Sequence, residues 1–198
     1  MLKVGITGGI GSGKTTVCRI FESLGIPVFY ADEVAKRVMT SDLVLVEGIR
    51  EAFGESSYSA AGELNRKHLA DLVFSDTQQL EKLNALVHPA VFRAFDQWAA
   101  SVKNAPYLLK EAALMFESGS YRMCDLNVLV TAPEELRILR VTQRDQITAE
   151  AVRQRMNKQF SDEQKIPMSD FVIVNDERSL LIPQVLQLHQ HFLTLSNP

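Results

Sequence analysis

"GITGGIGSGKTTV", Gly5 to Val17, is the stretch that decides the fold. Gly8, Gly13, Lys14 and Thr15 in it satisfy the phosphate-loop pattern G-x-x-x-x-G-K-[ST]. Glycines let a loop fold around phosphates with its N–H groups turned inward, and the helix that follows adds positive potential at its N-terminus. The residues expected to hold a nucleoside triphosphate are therefore Gly8, Gly9, Gly11, Ser12, Gly13, Lys14, Thr15 and Thr16. Lys14 is expected to bridge the β- and γ-phosphates, and Thr15 to offer its hydroxyl to Mg²⁺. The loop alone does not say whether the terminal phosphoryl group goes to water or to an acceptor.

Working outward, "LKVGIT" alternates apolar and small residues before the glycines, which reads as a strand entering the loop. "KTTVCRIFESL" carries Val17, Ile20, Phe21 and Leu24 at helical spacing and is stopped by Gly25 and Pro27. "IPVFY" is a second strand, so the first 30 residues form a βαβ unit. From Glu33 to about Ala105 the period is helical, apart from a small-residue loop between Gly54 and Glu63 and interruptions expected at Ser75–Asp76 and His88–Pro89. This is too long for a simple crossover and reads as a helical insertion. Strands follow at Tyr107–Glu111, Leu126–Val130 and in "DFVIVND", with a charged helical region from Glu134 to Gln159 and a closing helix. The expected class is α/β, with a five-stranded parallel sheet flanked by helices in the P-loop nucleoside-triphosphate hydrolase fold. Ligands in such sheets bind at the carboxyl ends of the strands.

Composition narrows the partners. The 198 residues are 46% hydrophobic and 23% charged with net charge −3, so no general basic surface is available for nucleic acid. No apolar run approaches bilayer length, and the N-terminus opens directly into a strand, so neither membrane span nor signal peptide is expected. Cys18 and Cys124 have no CxxC spacing or histidine cluster beside them, which fits a reducing cytoplasm, with Cys18 as a small buried hydrophobe.

Hydrolysis is not the expected purpose. "TQRD", Thr142–Asp145, lacks the lysine of a guanine-reading motif, and no clean hydrophobic strand ends in the Asp of a motor ATPase. Asp32, just past the second strand, can take the proton of an attacking hydroxyl, or can simply cap the helix that follows. Arg137, Arg140, Arg144, Arg153 and Arg155 fall within 19 residues. Arginines on a closing segment can meet the charge of phosphoryl transfer, and the competing reading is a solvated helix face. Arg140 and Arg144, four apart and on one face, are the favoured pair, whereas for Arg137 and Arg153 a surface role is at least as economical.

Over essentially its full length the chain resembles the dephospho-coenzyme A kinase family. The resemblance is carried by the phosphate loop, Ala31-Asp32, "LNALVHP", "LMFESG", "APEELRILRVTQRD", "RMNKQFSDEQK" and "SDFVIVND". It implies transfer of the γ-phosphoryl of ATP to the ribose 3′-hydroxyl of dephospho-CoA, the last step of coenzyme A biosynthesis. The rival acceptors are a nucleoside monophosphate or a sugar acid, and the rival class is a nucleotide-gated binding protein. The resemblance also implies a nucleotide-binding core (residues 1–31, 105–131 and 160–198), a substrate domain (32–104) and a lid (132–159). Asp32 aligns with the general base and Asn175 with the approach to the adenine. His88 either contacts substrate or marks a structural turn, and Leu114 and Glu117 either line the acceptor site or belong to a packed turn. Phe92, Phe95 and Trp98 read as core rather than as a pantetheine groove. ATP, Mg²⁺ and dephospho-CoA are the implied ligands, and a cytoplasmic monomer is expected. The chain departs from the family at Tyr30, where an Asp is frequent, and at Glu111 and Ala113, where Asp and Pro are common; Glu111 could serve magnesium instead.

Overall fold

The strand before the phosphate loop, β1 (Leu2–Thr7), becomes the centre of a sheet whose other strands all lie later in the chain. A computed structural model describes residues 1–74 and 76–196, without the side chain of Phe74. Its strands β2 (Val28–Tyr30), β3 (Tyr107–Glu111), β4 (Leu126–Thr131) and β5 (Phe171–Val174) join β1 in the order β2-β3-β1-β4-β5. Every pairing is parallel, with Leu2 opposite Tyr107 and Val4 opposite Leu126. Strands covered on both faces need near-continuous apolar sequence, and all five residues of β3 are buried. β5 is the outer strand, where Val172 and Val174 are exposed. The side chain of Gln184 accepts from the Val174 N–H and donates to its carbonyl, both at 2.9 Å, filling the hydrogen bonds of Val174 on that edge.

Helix α1 (Lys14–Ser23) follows the loop and buries Val17, Cys18 and Phe21. It ends in a Schellman turn, with Ile26 N–H bonded to Phe21 and Gly25 N–H to Glu22. Gly25 sits there at φ 82°, which a side chain would strain. Behind the sheet α9 (Leu181–Ser196) brings Val185 and Phe192 into one core with Val4, Ile6 and Phe21. Phe192 meets Tyr107 edge-on at 5.4 Å and stacks with Phe21 at 6.3 Å, and the Tyr107 hydroxyl shares a 2.6 Å hydrogen bond with His189 Nδ1. Burial pushes the Cys18 thiol well up, aided by the charges of Glu111 and Glu22, so it packs as an inert hydrophobe. Cys18 and Cys124 are both free thiols. Between β4 and β5 lie α6 (Glu134–Asp145), α7 (Ala149–Met156) and the short α8 (Asp162–Lys165). The chain breaks between α6 and α7 at Gln146, which caps α6 at φ 55°. No helix among the described residues is long and apolar enough to cross a membrane.

The chain divides into two compact units, Met1–Tyr30 with Val102–Pro198, and Ala31–Ser101. The second contains α2 (Ala31–Ser41), α3 (Leu43–Phe53), α4 (Arg66–Phe74) and α5 (Thr77–Ser101). Asp42 caps α3 by accepting from Leu45 N–H at 2.9 Å and holds Arg93 of α5 at 2.7 Å. Asp76 accepts from Gln78 and Gln79 at the start of α5, so that interruption is seen; its other half, Ser75, lies outside the described residues.

The interruption expected at His88–Pro89 is absent, because α5 runs through it for 25 residues. Proline leaves the carbonyl of Ala85 without its helical donor. Ala85 and Pro89 are both exposed, so water can supply the partner, while Val87, Ala90, Val91 and Phe95 bury the opposite face. His88 is thus a helical residue stacked on Phe92 at 6.2 Å, and the structural-turn reading is corrected. Phe95 is fully buried with Trp98 stacked on it at 6.2 Å, which fits a core role.

Candidate active site

The phosphate loop turns where only glycine is comfortable. Gly11 and Gly13 have φ of 79° and 96°, and a Cβ on Gly13 would collide with the amide nitrogen of Asn175. Lys14 is nine-tenths buried: its Nζ donates to the carbonyls of Gly8 at 3.0 Å and Gly9 at 3.4 Å and lies 3.9 Å from Glu111 Oε1. Glu111 ends β3, directly beside β1, with Ile6 its register partner. An ammonium bound to the loop's own carbonyls and faced by one carboxylate is poised for a more negative partner. Thr15 and Thr16 follow in the first turn of α1, both exposed.

Arg140 approaches the same loop from α6. It donates to Gly11 O at 3.4 Å, to Asn175 O at 3.2 Å and to Glu177 at 3.2 Å. Asn175 Nδ2 donates to Ser12 O at 2.8 Å, so this residue braces the loop from the end of β5. Arg144 instead forms a two-pronged pair with its neighbour Asp145, at 2.7 and 3.1 Å, and Arg155 joins at 3.0 Å. The bond from Arg144 holds the Asp145 carboxyl below its ordinary range. A cavity of about 320 Å³ lies between loop and α6, walled by Lys14, Thr15, Thr16, Arg19, Arg140 and Arg144. Six cationic or hydroxyl side chains beside a glycine loop suit an anion with several phosphates.

Other expected residues are placed differently. Asp32 is the second residue of α2 and exposed, so it does not occupy the position before the helix, and the capping reading is corrected. It follows Tyr30, whose register partner is Glu111. Burial raises the Tyr30 hydroxyl, and its proximity to Cys18 and Glu22 adds to this. His88 lies in the helical unit. The turn after β3 splits the two readings of "LMFESG": Met115 and Phe116 enter the core, while Leu114 is 38% exposed. Glu117 is engaged internally, accepting from Phe160 N–H at 2.8 Å and pairing with the fully buried Lys165 at 3.1 Å.

Arg137 overturns the surface reading. It is 8% exposed, its Nε donates to Ile10 O at 3.0 Å, and its Nη1 lies 3.5 Å from Asp162. Its guanidinium fills the space a Cβ on Gly9 would need. Gln159 also reaches the loop, accepting from Ile10 N–H at 2.8 Å. The arginine run hid Arg137, since spacing alone cannot say which member of a charged face turns inward. Gln159 had a signal, its place in "RMNKQFSDEQK". Arg153 is exposed as expected.

Comparison with known proteins agrees over the same span. The family model for CoaE, dephospho-CoA kinase, matches residues 2–180. A dephospho-CoA kinase from Salinibacter ruber is 44% identical over 178 residues, covering 89% of each chain. Among solved structures, one from Thermus thermophilus superposes with a TM-score of 0.82 at 32% identity, covering 98% of this chain and 97% of that one. A dephospho-CoA kinase from Campylobacter jejuni gives a TM-score of 0.70 at 25% identity, covering 97% of both. The glycine loop on the central strand, the cations gathered around it and this full-length likeness together place the chain in the dephospho-CoA kinase family.

Proposed function

We propose a division of labour among this chain's residues for the reaction of its family. The enzyme is a phosphotransferase that uses ATP to phosphorylate the ribose 3′-hydroxyl of dephospho-CoA, and its product, coenzyme A, ends that biosynthesis. The observation that carries the assignment of roles is Lys14, a buried ammonium held against the carbonyls of Gly8 and Gly9. The triphosphate takes that ammonium between its β- and γ-phosphates, and the N–H groups of the loop other than that of Ile10, which is bonded to Gln159, cradle it.

Asp32 is the general base. Its carboxylate receives the 3′-hydroxyl proton as that oxygen forms a bond to the γ-phosphorus, the β–γ bridge breaks and ADP leaves. Its place two residues beyond the carboxyl end of β2, the edge where ligands of such sheets bind, supports this role. Arg140, and Arg144 once released from Asp145, meet the negative charge of transfer from the 320 Å³ cavity. Asn175 stands at the adenine end of the nucleotide. His88 and Leu114 contact the acceptor, and Glu117 fixes the turn that carries Leu114.

Thr15 and Glu111 carry the hard oxygens that would hold Mg²⁺. Bound there, the ion would neutralise charge on the β- and γ-oxygens. Residues 32–104 form the substrate domain and 132–159 the lid, and the protein acts as a monomer in the cytoplasm, whose reducing conditions suit the two free cysteines. ADP release from Mg·ATP with and without dephospho-CoA tests the assignment. ATP consumption indifferent to dephospho-CoA, but raised by a nucleoside monophosphate or a sugar acid, would overturn it.

A further inference from the structure

The tip of the phosphate loop is held on both sides of one residue, Ile10. Ile10 donates its N–H to Gln159 at 2.8 Å and accepts at its carbonyl from Arg137 at 3.0 Å. Its side chain packs against Ile138, Val141 and Val152 of α6 and α7. The residues doing this are themselves fixed. Arg137 is buried and faces Asp162, whose carboxyl is raised by burial against the pull of Arg137 and Lys165. Gln159, Asp162 and Lys165 recur at three-residue intervals, and they reach three targets: Ile10, Arg137 and Glu117.

A phosphate loop binds through backbone donors, so its shape is its affinity. Glycine-rich backbone has little of its own to hold that shape, and ordering a residue costs about 1–2 kcal/mol. We propose that Gln159 and Arg137 are positioning residues for phosphoryl transfer, a two-sided clamp on Ile10 that sets the loop tip before the nucleotide arrives. The inference rests on the kinase reading, and the clamp acts through Ile10 rather than on substrate. It also ties the loop to α6, whose Arg140 donates to the next residue, Gly11.

The test uses the whole chain. Gln159→Leu removes the acceptor at similar size; Gln159→Glu keeps it. The leucine variant is expected to lose about 10–100-fold in kcat/KM for ATP, the scale of a small misplacement of reacting groups. KM for dephospho-CoA should stay within about twofold, since a mispositioned loop does not touch the acceptor. Amide hydrogen exchange gives the structural readout: Ile10 is protected in the wild type and in Gln159→Glu, and exposed in Gln159→Leu. A folded leucine variant with wild-type kcat/KM for ATP would sink the clamp, as would a wild-type Ile10 amide that exchanges freely. If Gln159→Leu does not fold, Arg137→Lys and the wild-type exchange rate decide the matter. Titration with a non-hydrolysable ATP analogue separates the two claims. A wild type without turnover on dephospho-CoA breaks the kinase reading, whereas weaker analogue binding by Gln159→Leu still supports the clamp.

Discussion

The phosphate loop and the long helix α5 contrast in what determines them. In the loop, backbone geometry decides: Gly11 and Gly13 sit at positive φ, and Lys14 is held by main-chain carbonyls. In α5, side-chain packing decides, strongly enough to carry the helix through Pro89. A region ruled by backbone geometry announces itself in residue types at fixed spacing. A region ruled by packing can override the residue that local rules name as a breaker.

Four measurements press on this contrast. The largest expected effect is chemical: Asp32→Asn lowers kcat by about 10²–10⁴-fold while nucleotide titration still shows ATP binding. Wild-type turnover there would leave Asp32 as a surface residue of α2. On the packing side, Phe95→Ala should destabilise by about 3–5 kcal/mol in urea unfolding, because a fully buried ring leaves a cavity. Arg140→Ala should cost about 10–100-fold in kcat/KM for ATP, and Arg144→Ala less than about tenfold, since Asp145 already neutralises Arg144. The reverse order in steady-state kinetics would shift the leading part to Arg144. Smallest, Pro89→Ala should stabilise the protein by about 1 kcal/mol, by returning a donor to the Ala85 carbonyl. A loss of stability instead would mean that the proline ring contributes packing of its own.

Much of the molecule was readable from residue patterns. The five strands and the loop follow from local periodicity and turn chemistry. Pro89 was misread because the exposure of the carbonyl it deprives is a tertiary fact. Capping was open to Asp32 beside the catalytic reading because Asp commonly precedes helices, yet α2 begins one residue earlier at Ala31. Arg137 was passed over because five arginines in a charged stretch are alike until the helix is docked. What settles its orientation is Gly9, whose missing side chain leaves room for the guanidinium. Loop and arginine fit each other from 128 residues apart, a relation that no local pattern contains.

The position of β1 at the centre of the sheet also sets an order of assembly. Its neighbours are β3 and β4, so the first strand made pairs with segments beginning at Tyr107 and Leu126. At about 5–20 residues per second of synthesis, β1 waits on the order of 5–20 s for its first partner. Contacts among Ala31–Ser101 are all within reach before then, and helical contacts of short range form fast. The phosphate loop, though encoded almost first, is therefore among the last parts to take shape on a nascent chain. A truncation ending before β4 would carry every loop residue from Gly8 to Thr16 and lack Arg137, Arg140, Gln159 and Asn175, the side chains that hold them.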